Sequence, residues 1–225
     1  MNNEKFFTPQ KMKQLEDIIN TVSKDTFFPI PSNIIRFAKI PAENVKCVVL
    51  GMEPYASWFC DEDGNIVPEA TGRSFEVASV SRWDQPFKQT SLRNILKSLY
   101  YLHTGKLESM DTIREKISSG DFPISQPHEW FDKMEEQGVV FLNASLTVKK
   151  DKPNTHTHHW ESFMTSLIEY YNSINPDIIW ILAGDKAQSR ALNLVNKAVL
   201  CPHPRVYGFV KECPFECVKD VEWIR

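Results

Sequence analysis

Three apolar stretches of the sequence lead into side chains whose chemistry suits catalysis. Glu53 and Tyr55 follow the first stretch, Asn143 ends the second, and His203 follows the last. A carboxylate opposes growing positive charge, an imidazole or amide donates to growing negative charge, and an aromatic ring stacks on a flat ligand. If the stretches lie side by side, these four side chains form one site for a planar, polar substrate.

The segments that must position these side chains alternate between strand and helix patterns. Short runs rich in β-branched and aromatic residues predict buried strands at residues 45–50, 139–142, 178–182 and 198–201. Helical spacing of apolar residues predicts helices over 92–100 and 160–171, with weaker signals at 12–22 and 187–196. This order predicts an α/β fold with a parallel sheet covered by helices on both faces. The ligand site of such a sheet lies at the carboxyl ends of its strands.

Composition limits the classes of function. The 225 residues carry a net charge of -3, and no apolar run approaches the length that spans a bilayer. We therefore expect a single domain, residues 1–225, that acts as a cytoplasmic monomer. The odd count of five cysteines argues against a secreted disulfide framework. Because the net charge is negative, a nucleic-acid partner would require a local positive patch.

Six short segments of the chain match the motifs of one enzyme family, in the same order. "GMEPYA" resembles the turn GQDPYH, and "ATGRSFEV" resembles A-H-G-L-x-F-S-V. The later segments are "TSLRNILKSL", "WFDKMEEQGVVFLNASLTVKK", "THTHHWESFMTSLI" and "CPHPRVYGFVKECPF". Together they resemble the uracil-DNA glycosylase superfamily over about residues 27–217. The resemblance implies a central four-stranded parallel sheet flanked by helices on both faces.

The resemblance also implies how a base is bound. An enzyme that acts on a base must turn it out of the duplex and recover the lost stacking energy in a pocket. Phe75 would stack on the extruded base, and Asn143 would hydrogen-bond to its pyrimidine edge. Tyr55 would close the side of the pocket that faces C5 of the base, and Met52 stands where the family has glutamine.

Two further residues carry the catalytic roles that the resemblance implies. Cleavage of the bond between base and deoxyribose builds positive charge on the sugar and negative charge on the departing base. Glu53 would take the place of the aspartate that orients water and opposes the sugar's charge. His203 would stabilise the negative charge on the base. The family uses no metal and no organic cofactor, and we expect none here.

Five residues are candidates for contact with the DNA backbone. Ser91, at the predicted start of a helix, can cap that helix and lies where the family has a phosphate-contacting serine. Lys149, Lys150 and Arg205 would form a local basic rim. His156 either supports the asparagine loop or meets a phosphate. The spacing of the histidines near it disfavours a zinc site.

Departures from the family pattern concentrate at the predicted pocket. Glu53 replaces aspartate, and Met52 and Ala56 replace glutamine and histidine. The stretch "SWFCDEDGNIVPE" is inserted beside the pocket, and the segment after His203 is short and lacks the leucine that normally wedges into the duplex. Because the scaffold segments stay recognisable, these changes favour an altered choice of substrate.

The sequence therefore predicts a monofunctional DNA glycosylase that leaves an abasic site. Its substrate would be a non-standard pyrimidine, such as a bulky modified pyrimidine of phage DNA, which would make the enzyme an antiviral defence factor. Tyr55 counts against a bulky C5 group, because in the family this ring excludes a C5 methyl. Two alternatives stay open: conventional uracil repair, and an inactive member that binds DNA or a protein.

Overall fold

The computed structural model describes residues 3–225, in which strands and helices alternate. The helices are α1 (Pro9–Val22), α2 (Thr90–Thr104), α3 (Met110–Ser119), α4 (Pro127–Glu136), α5 (Thr157–Ile174), α6 (Asp185–Ala191) and α7 (Gly208–Glu212). The strands are β1 (Phe27–Phe28), β2 (Cys47–Gly51), β3 (Trp58–Cys60), β4 (Ile66–Pro68), β5 (Val139–Asn143), β6 (Val148–Lys149), β7 (Ile179–Ala183) and β8 (Lys197–Cys201). Between β1 and β2 the proline-rich chain makes only short 3₁₀ turns.

The central sheet has four parallel strands in the order β5-β2-β7-β8. This confirms the predicted fold class. Gly51 pairs with Asn143, and Ala183 pairs with Cys201, so neighbouring strands end at the same level. The chain moves from β2 to one neighbour, β5, and then crosses to the other, β7. Ligands of open parallel sheets bind at such a change of direction, outside the carboxyl ends of the strands.

Helices cover both faces of the sheet because successive strand residues point to opposite sides. Val48 and Leu50 face a core shared with α1 and α5, in which Trp160 is fully buried. Val49 faces the opposite core, formed with α2, α3 and α4, in which Trp130 is fully buried. The predicted helical stripe that begins at Trp160 is therefore confirmed as core.

Three features differ from the sequence-based expectation or add to it. The inserted stretch forms an antiparallel hairpin, in which Trp58 pairs with Pro68 and Cys60 with Ile66. Helix α6 ends at Ala191, so the helix predicted to reach residue 196 is shorter than expected. Helices α3 and α4 have no counterpart among the predicted elements.

The helices and the cysteines have two further properties. Within residues 3–225, no helix combines the length and apolar character needed to cross a membrane. The five cysteines are free thiols, three of them buried and two exposed.

Candidate active site

The carboxyl ends of the sheet strands open into a cleft of about 800 Å³. Pairing between β2 and β5 continues past the strands, because the amides of Ala144 and Ser145 donate to the carbonyls of Gly51 and Met52 at 3.0 and 2.8 Å. These bonds hold the turn that carries Glu53 against the end of β5. The cleft brings together eight residues predicted from the sequence: Met52, Glu53, Tyr55, Phe75, Ser91, Asn143, His203 and Arg205.

Phe75 and Asn143 lie side by side because Gly51 leaves room for them. A Cβ at position 51 would lie 2.8 Å from Asn143 Oδ1 and 3.3 Å from Phe75 Cζ. Phe75 has a φ of 66°, a left-handed conformation that residues other than glycine seldom adopt. Such strained backbone is concentrated at functional sites, where the surrounding structure enforces it. The ring is thereby held at the wall of the cleft.

The Asn143 side chain is only 4% exposed, yet its amide makes no hydrogen bond with the rest of residues 3–225. The amide oxygen and nitrogen are not sealed in the core but reach the open cleft, where a ligand or water can pair with them. The amide offers one acceptor and two donors to the cleft. This arrangement suits the edge of a planar heterocycle.

Glu53 is half-buried, and its Oε2 accepts a hydrogen bond of 2.8 Å from the backbone amide of Asn154. Burial raises the pKa of the Glu53 carboxyl, whereas the Asn154 amide and the charge of Lys186 lower it, with burial the largest effect. Asn154 has a φ of 65°, which asparagine tolerates better than most residues. The carboxylate is thus fixed in direction while it remains open to the cleft.

His203 is held as a neutral donor. Its Nδ1 accepts a hydrogen bond of 3.0 Å from the backbone amide of Arg205, so the proton of the neutral ring lies on Nε2. Burial lowers the pKa of the imidazole, and the nearby charge of Arg205 lowers it further. The His203 and Phe75 ring centroids are 5.9 Å apart at an interplanar angle of 71°. An N–H donor and an aromatic wall therefore adjoin in the cleft.

Gly184 makes the position of His203 possible. A Cβ at residue 184 would lie 2.8 Å from the Cβ of His203, and the φ of 89° is itself unfavourable for any other residue. The glycine directly follows β7, and His203 follows β8. Two glycines at neighbouring strand ends therefore allow the close approach of Asn143, Phe75 and His203.

Tyr55 and Ser91 both line the cleft. Burial raises the pKa of the Tyr55 phenol, and the nearby Glu69 carboxylate raises it further, while a hydrogen bond with the Ser91 side chain acts in the opposite direction. The prediction that Ser91 caps its helix is wrong. Gln89 occupies the cap position, and Ser91 lies inside the first turn of α2, where it is buried. Ser91 instead forms part of the wall of the cleft.

Three predicted DNA-contact residues lie outside the cleft. Lys149 Nζ pairs with the Asp25 carboxylate, and Lys150 Nζ lies 4.1 Å from the centre of the Trp58 ring. Both lysines stay partly exposed. The His156 side chain is 3% exposed and faces inward. Its prediction as a DNA contact is corrected, because its two ring nitrogens face protein groups.

The partners of His156 show what the ring does in the fold. Nδ1 shares a hydrogen bond of 3.1 Å with the Thr147 hydroxyl, and Nε2 lies 3.7 Å from the Asp25 carboxylate. The Thr147 hydroxyl also accepts a bond of 2.7 Å from the indole of Trp160. The histidine therefore ties the loop after β5 to the start of α5.

The cleft also contains residues that the sequence did not single out. Asn154 and Lys186 line it, and Lys186 Nζ donates a hydrogen bond of 2.8 Å to Asn154 Oδ1. Lys186 lies two residues past the glycine at the end of the third predicted strand, so its position at a strand tip was the available signal. Asn154 lies in a Pro-Asn turn, a pattern that indicates only a loop.

The inserted hairpin lies outside the cleft and contacts the loop between β6 and α5, which lies beside it. Asp151 donates its backbone amide to the Ala56 carbonyl at 3.0 Å, and its carboxylate accepts a bond of 3.3 Å from the Trp58 indole. This loop carries Asn154, the residue that holds Glu53. The insertion therefore reaches the site indirectly.

Comparison with known proteins agrees with this geometry. The family model described as "Uracil DNA glycosylase superfamily" matches residues 37–217. A uracil-DNA glycosylase from Lachnoclostridium phytofermentans is 30% identical over 208 residues, which cover 89% of this chain and 78% of the relative. One from Coxiella burnetii is 30% identical over 200 residues, 84% of this chain and 73% of the relative.

Solved structures show the same fold. The UNG crystal structure from Nitratifractor salsuginis superimposes with a TM-score of 0.69 at 20% identity, covering 92% of this chain and 84% of that one. Mimivirus uracil-DNA glycosylase gives a TM-score of 0.62 at 23% identity and covers 89% of this chain. This chain spans 64% of the mimivirus chain.

Fold and cleft together place the protein among the DNA glycosylases, the hydrolases of N-glycosyl bonds in DNA. More specifically, the chain belongs to the uracil-DNA glycosylase superfamily.

Proposed function

We propose that the protein hydrolyses the N-glycosidic bond of a non-standard pyrimidine that has been turned out of DNA. It leaves an abasic site and acts as a cytoplasmic monomer. The observation that carries this proposal is the convergence of Glu53, Phe75, Asn143 and His203 on one cleft from four separate parts of the chain. Each supplies a different requirement of the reaction.

Binding precedes chemistry in this proposal. The base leaves its stack and enters the cleft, where the Phe75 ring replaces part of the lost stacking energy. The amide of Asn143, which makes no hydrogen bond within residues 3–225, pairs with the pyrimidine edge. Arg205, which is exposed at the cleft, meets a backbone phosphate.

Cleavage then separates charge along the bond between C1′ and N1. The bonding electron pair moves to the base, whose negative charge is stabilised by the Nε2–H of neutral His203. The sugar gains oxocarbenium character, which the Glu53 carboxylate opposes. A water molecule oriented by Glu53 adds its oxygen to C1′ and loses a proton, and the departing base takes up a proton.

Two features of the cleft support a pyrimidine larger than uracil, and one opposes it. Its volume of about 800 Å³ leaves space beyond a single base. Met52 and Ala56 line it where the family motif carries glutamine and histidine. Tyr55 is the opposing feature, since its ring also lines the cleft. We therefore place a C5 substituent on the Ala56 side of that ring, where only a methyl group projects.

Conventional uracil excision is the second candidate. The names of relatives that are 30% identical over 84% to 89% of this chain favour it. The shared residues Asn143 and His203 would serve either base. The two candidates differ in whether Tyr55 excludes a C5 substituent.

One substrate panel separates the candidates. Purified protein is incubated with unmodified DNA, uracil-containing DNA and phage DNA with bulky C5-modified pyrimidines, and released bases are measured by mass spectrometry beside alkali-labile sites. Release only from modified DNA supports the first candidate, and release only from uracil DNA supports the second. Tight DNA binding without base release in any sample would identify an inactive binding protein.

The proposed role in antiviral defence has its own test. Cells that express the wild-type protein or Glu53→Gln are infected with a phage whose DNA carries the modified pyrimidine and with one whose DNA does not. We expect protection only against the modified phage and only from the wild-type protein. Equal plaque counts in all four combinations would remove the defence role.

A further inference from the structure

A chain of two hydrogen bonds connects Lys186 to the proposed catalytic carboxylate. Lys186 Nζ donates to Asn154 Oδ1 at 2.8 Å, and the Asn154 backbone amide donates to Glu53 Oε2 at 2.8 Å. All three residues line the cleft. They come from three separate elements, namely the turn after β2, the loop before α5 and the start of α6.

We propose that Lys186 is a positioning residue for Glu53, acting through Asn154. This inference rests on the proposed function, since it assigns Lys186 a part in the same reaction. A glutamate has one more rotatable bond than the aspartate of the family motif, and its carboxylate therefore needs an additional constraint. The Asn154 amide supplies that constraint, and Lys186 keeps the residue that carries the amide in place.

Asn154 depends on such support because it lies in an exposed loop. Its φ of 65° lies in the left-handed region, and the loop around it is exposed. The loop is fixed on one side by the bonds of Asp151 to Ala56 and Trp58. Lys186 fixes the loop on its other side, through its hydrogen bond to Asn154 Oδ1. Loss of Lys186 would free the side chain of Asn154 and loosen the amide that directs Glu53.

Lys186 also acts on Glu53 through its charge. The other charged or titratable side chains that line the cleft are Tyr55, Asp185, His203 and Arg205. Of these neighbours and Lys186, it is the charge of Lys186 that lowers the pKa of the Glu53 carboxyl, against the larger effect of burial. Removing this charge should raise that pKa further, so the acid limb of activity should move to higher pH.

The test compares Lys186→Met with Lys186→Arg and with a control, Lys197→Met. Lys197 lies at the opposite end of β8, where it pairs with Asp177. Single-turnover base release is measured at saturating enzyme across the acid and neutral range. The pKa of the Glu53 carboxyl is followed separately by ¹³C NMR. We expect Lys186→Met to slow release about tenfold, the scale of outer-shell substitutions at other sites, and to raise both the NMR pKa and the acid limb.

The expected pattern includes rescue by the conservative variant and no effect of the control. Lys186→Arg should retain most of the rate, and Lys197→Met should match the wild type. The inference is wrong if Lys186→Met weakens DNA affinity alone and leaves the maximal rate, the acid limb and the NMR pKa unchanged. If the wild-type protein releases no base while the NMR pKa still rises in Lys186→Met, the proposed function fails and the link between Lys186 and Glu53 stands.

Discussion

Glu53 and His203 show how the protein prepares two residues for opposite charges. Burial shifts both pKa values toward the neutral form, upward for the carboxyl and downward for the imidazole. Backbone amides then distinguish the two groups. The amide of Asn154 favours the ionised Glu53, whereas the amide of Arg205 occupies His203 Nδ1 and leaves Nε2–H to donate. The site thus holds an anion and a neutral donor.

Replacement of the carboxylate is the most direct residue-scale test. Glu53→Gln keeps the size of the side chain but removes the negative charge that opposes the oxocarbenium ion. We expect single-turnover base release to fall by about 10²- to 10³-fold, the usual cost of losing one preorganised electrostatic group. Glu62→Gln, on the exposed tip of the hairpin, is the matched control and should leave the rate unchanged. An unaltered rate in Glu53→Gln would refute the catalytic assignment.

The pH dependence of activity follows from the direction of the Glu53 shift. The active form is the carboxylate, and burial raises its pKa above the ordinary value of 4.5. Activity is therefore retained above the raised pKa and lost as the pH falls through it, so the loss begins at a higher pH than for an exposed glutamate. A pH profile of single-turnover release, with ¹³C titration of the Glu53 carboxyl, measures this. Titration at or below 4.5 would contradict it.

At the scale of the elements, the strand ends do the positioning. Parallel pairing brings the ends of β2 and β5 to one level, and the ends of β7 and β8 to another point on the same edge. Each pair also carries a glycine where a side chain would collide with a functional group. Gly51 adjoins Asn143 and Phe75, and Gly184 adjoins His203. The strand ends can therefore hold the site residues this close only because residues 51 and 184 are glycines without a Cβ.

Gly184→Ala tests this coupling. The glycine has φ 89° and ψ 161°, a region that is essentially restricted to glycine and costs about 1–3 kcal/mol for other residues. The added Cβ would also lie 2.8 Å from His203 Cβ. We expect lower stability in chemical denaturation and a lower rate of base release, because His203 must move.

A second glycine variant separates strain from displacement of the site. Gly105 ends α2 with a φ of 69°, and an added Cβ would meet no atom within 4 Å. Gly105→Ala should lower the free energy of unfolding by about 1–2 kcal/mol through left-handed strain and leave the rate of base release unchanged. Equal rates of base release in Gly184→Ala and Gly105→Ala would argue against a role of Gly184 in placing His203.

At the scale of the whole molecule, DNA binding must rely on local charge. The net charge of -3 does not attract a polyanion, and the exposed cations that line the cleft are Lys186, which is bonded to Asn154, and Arg205. Lys149 and Lys150 add positive charge on the adjoining loop, partly offset by Asp25. We therefore expect weak non-specific affinity and a small number of phosphate contacts.

The salt dependence of binding measures those contacts. Arg205→Gln retains the backbone amide that bonds to His203 but removes one cation. The slope of log K against log salt concentration should decrease by about 1, as for the loss of one phosphate contact. Lys197→Gln, at the far end of β8, should leave the slope unchanged. An identical slope in wild type and Arg205→Gln would show that Arg205 does not meet a phosphate.

Much of this architecture followed from periodicity and motif order. The four runs that end near Leu50, Leu142, Leu182 and Cys201 became the four parallel strands, because buried parallel strands need continuous apolar sequence. Helix α4 escaped prediction since its segment was considered only as a motif. The extent of α6 was overestimated because Leu194 and Val195 continue the apolar spacing of a helix, whereas in the structure they pack against the core from a turn that follows α6.

The sequence by itself determined the order of strands and helices and the residue types that reach the strand ends, because both depend on local patterns. Only the tertiary structure decided which polar groups meet. It buried His156 against Asp25, placed Ser91 in the same cleft as Tyr55, and linked Lys186 through Asn154 to Glu53. These contacts join residues far apart in the chain, and a residue's neighbours across the fold depend on packing and loop course, which no local pattern specifies.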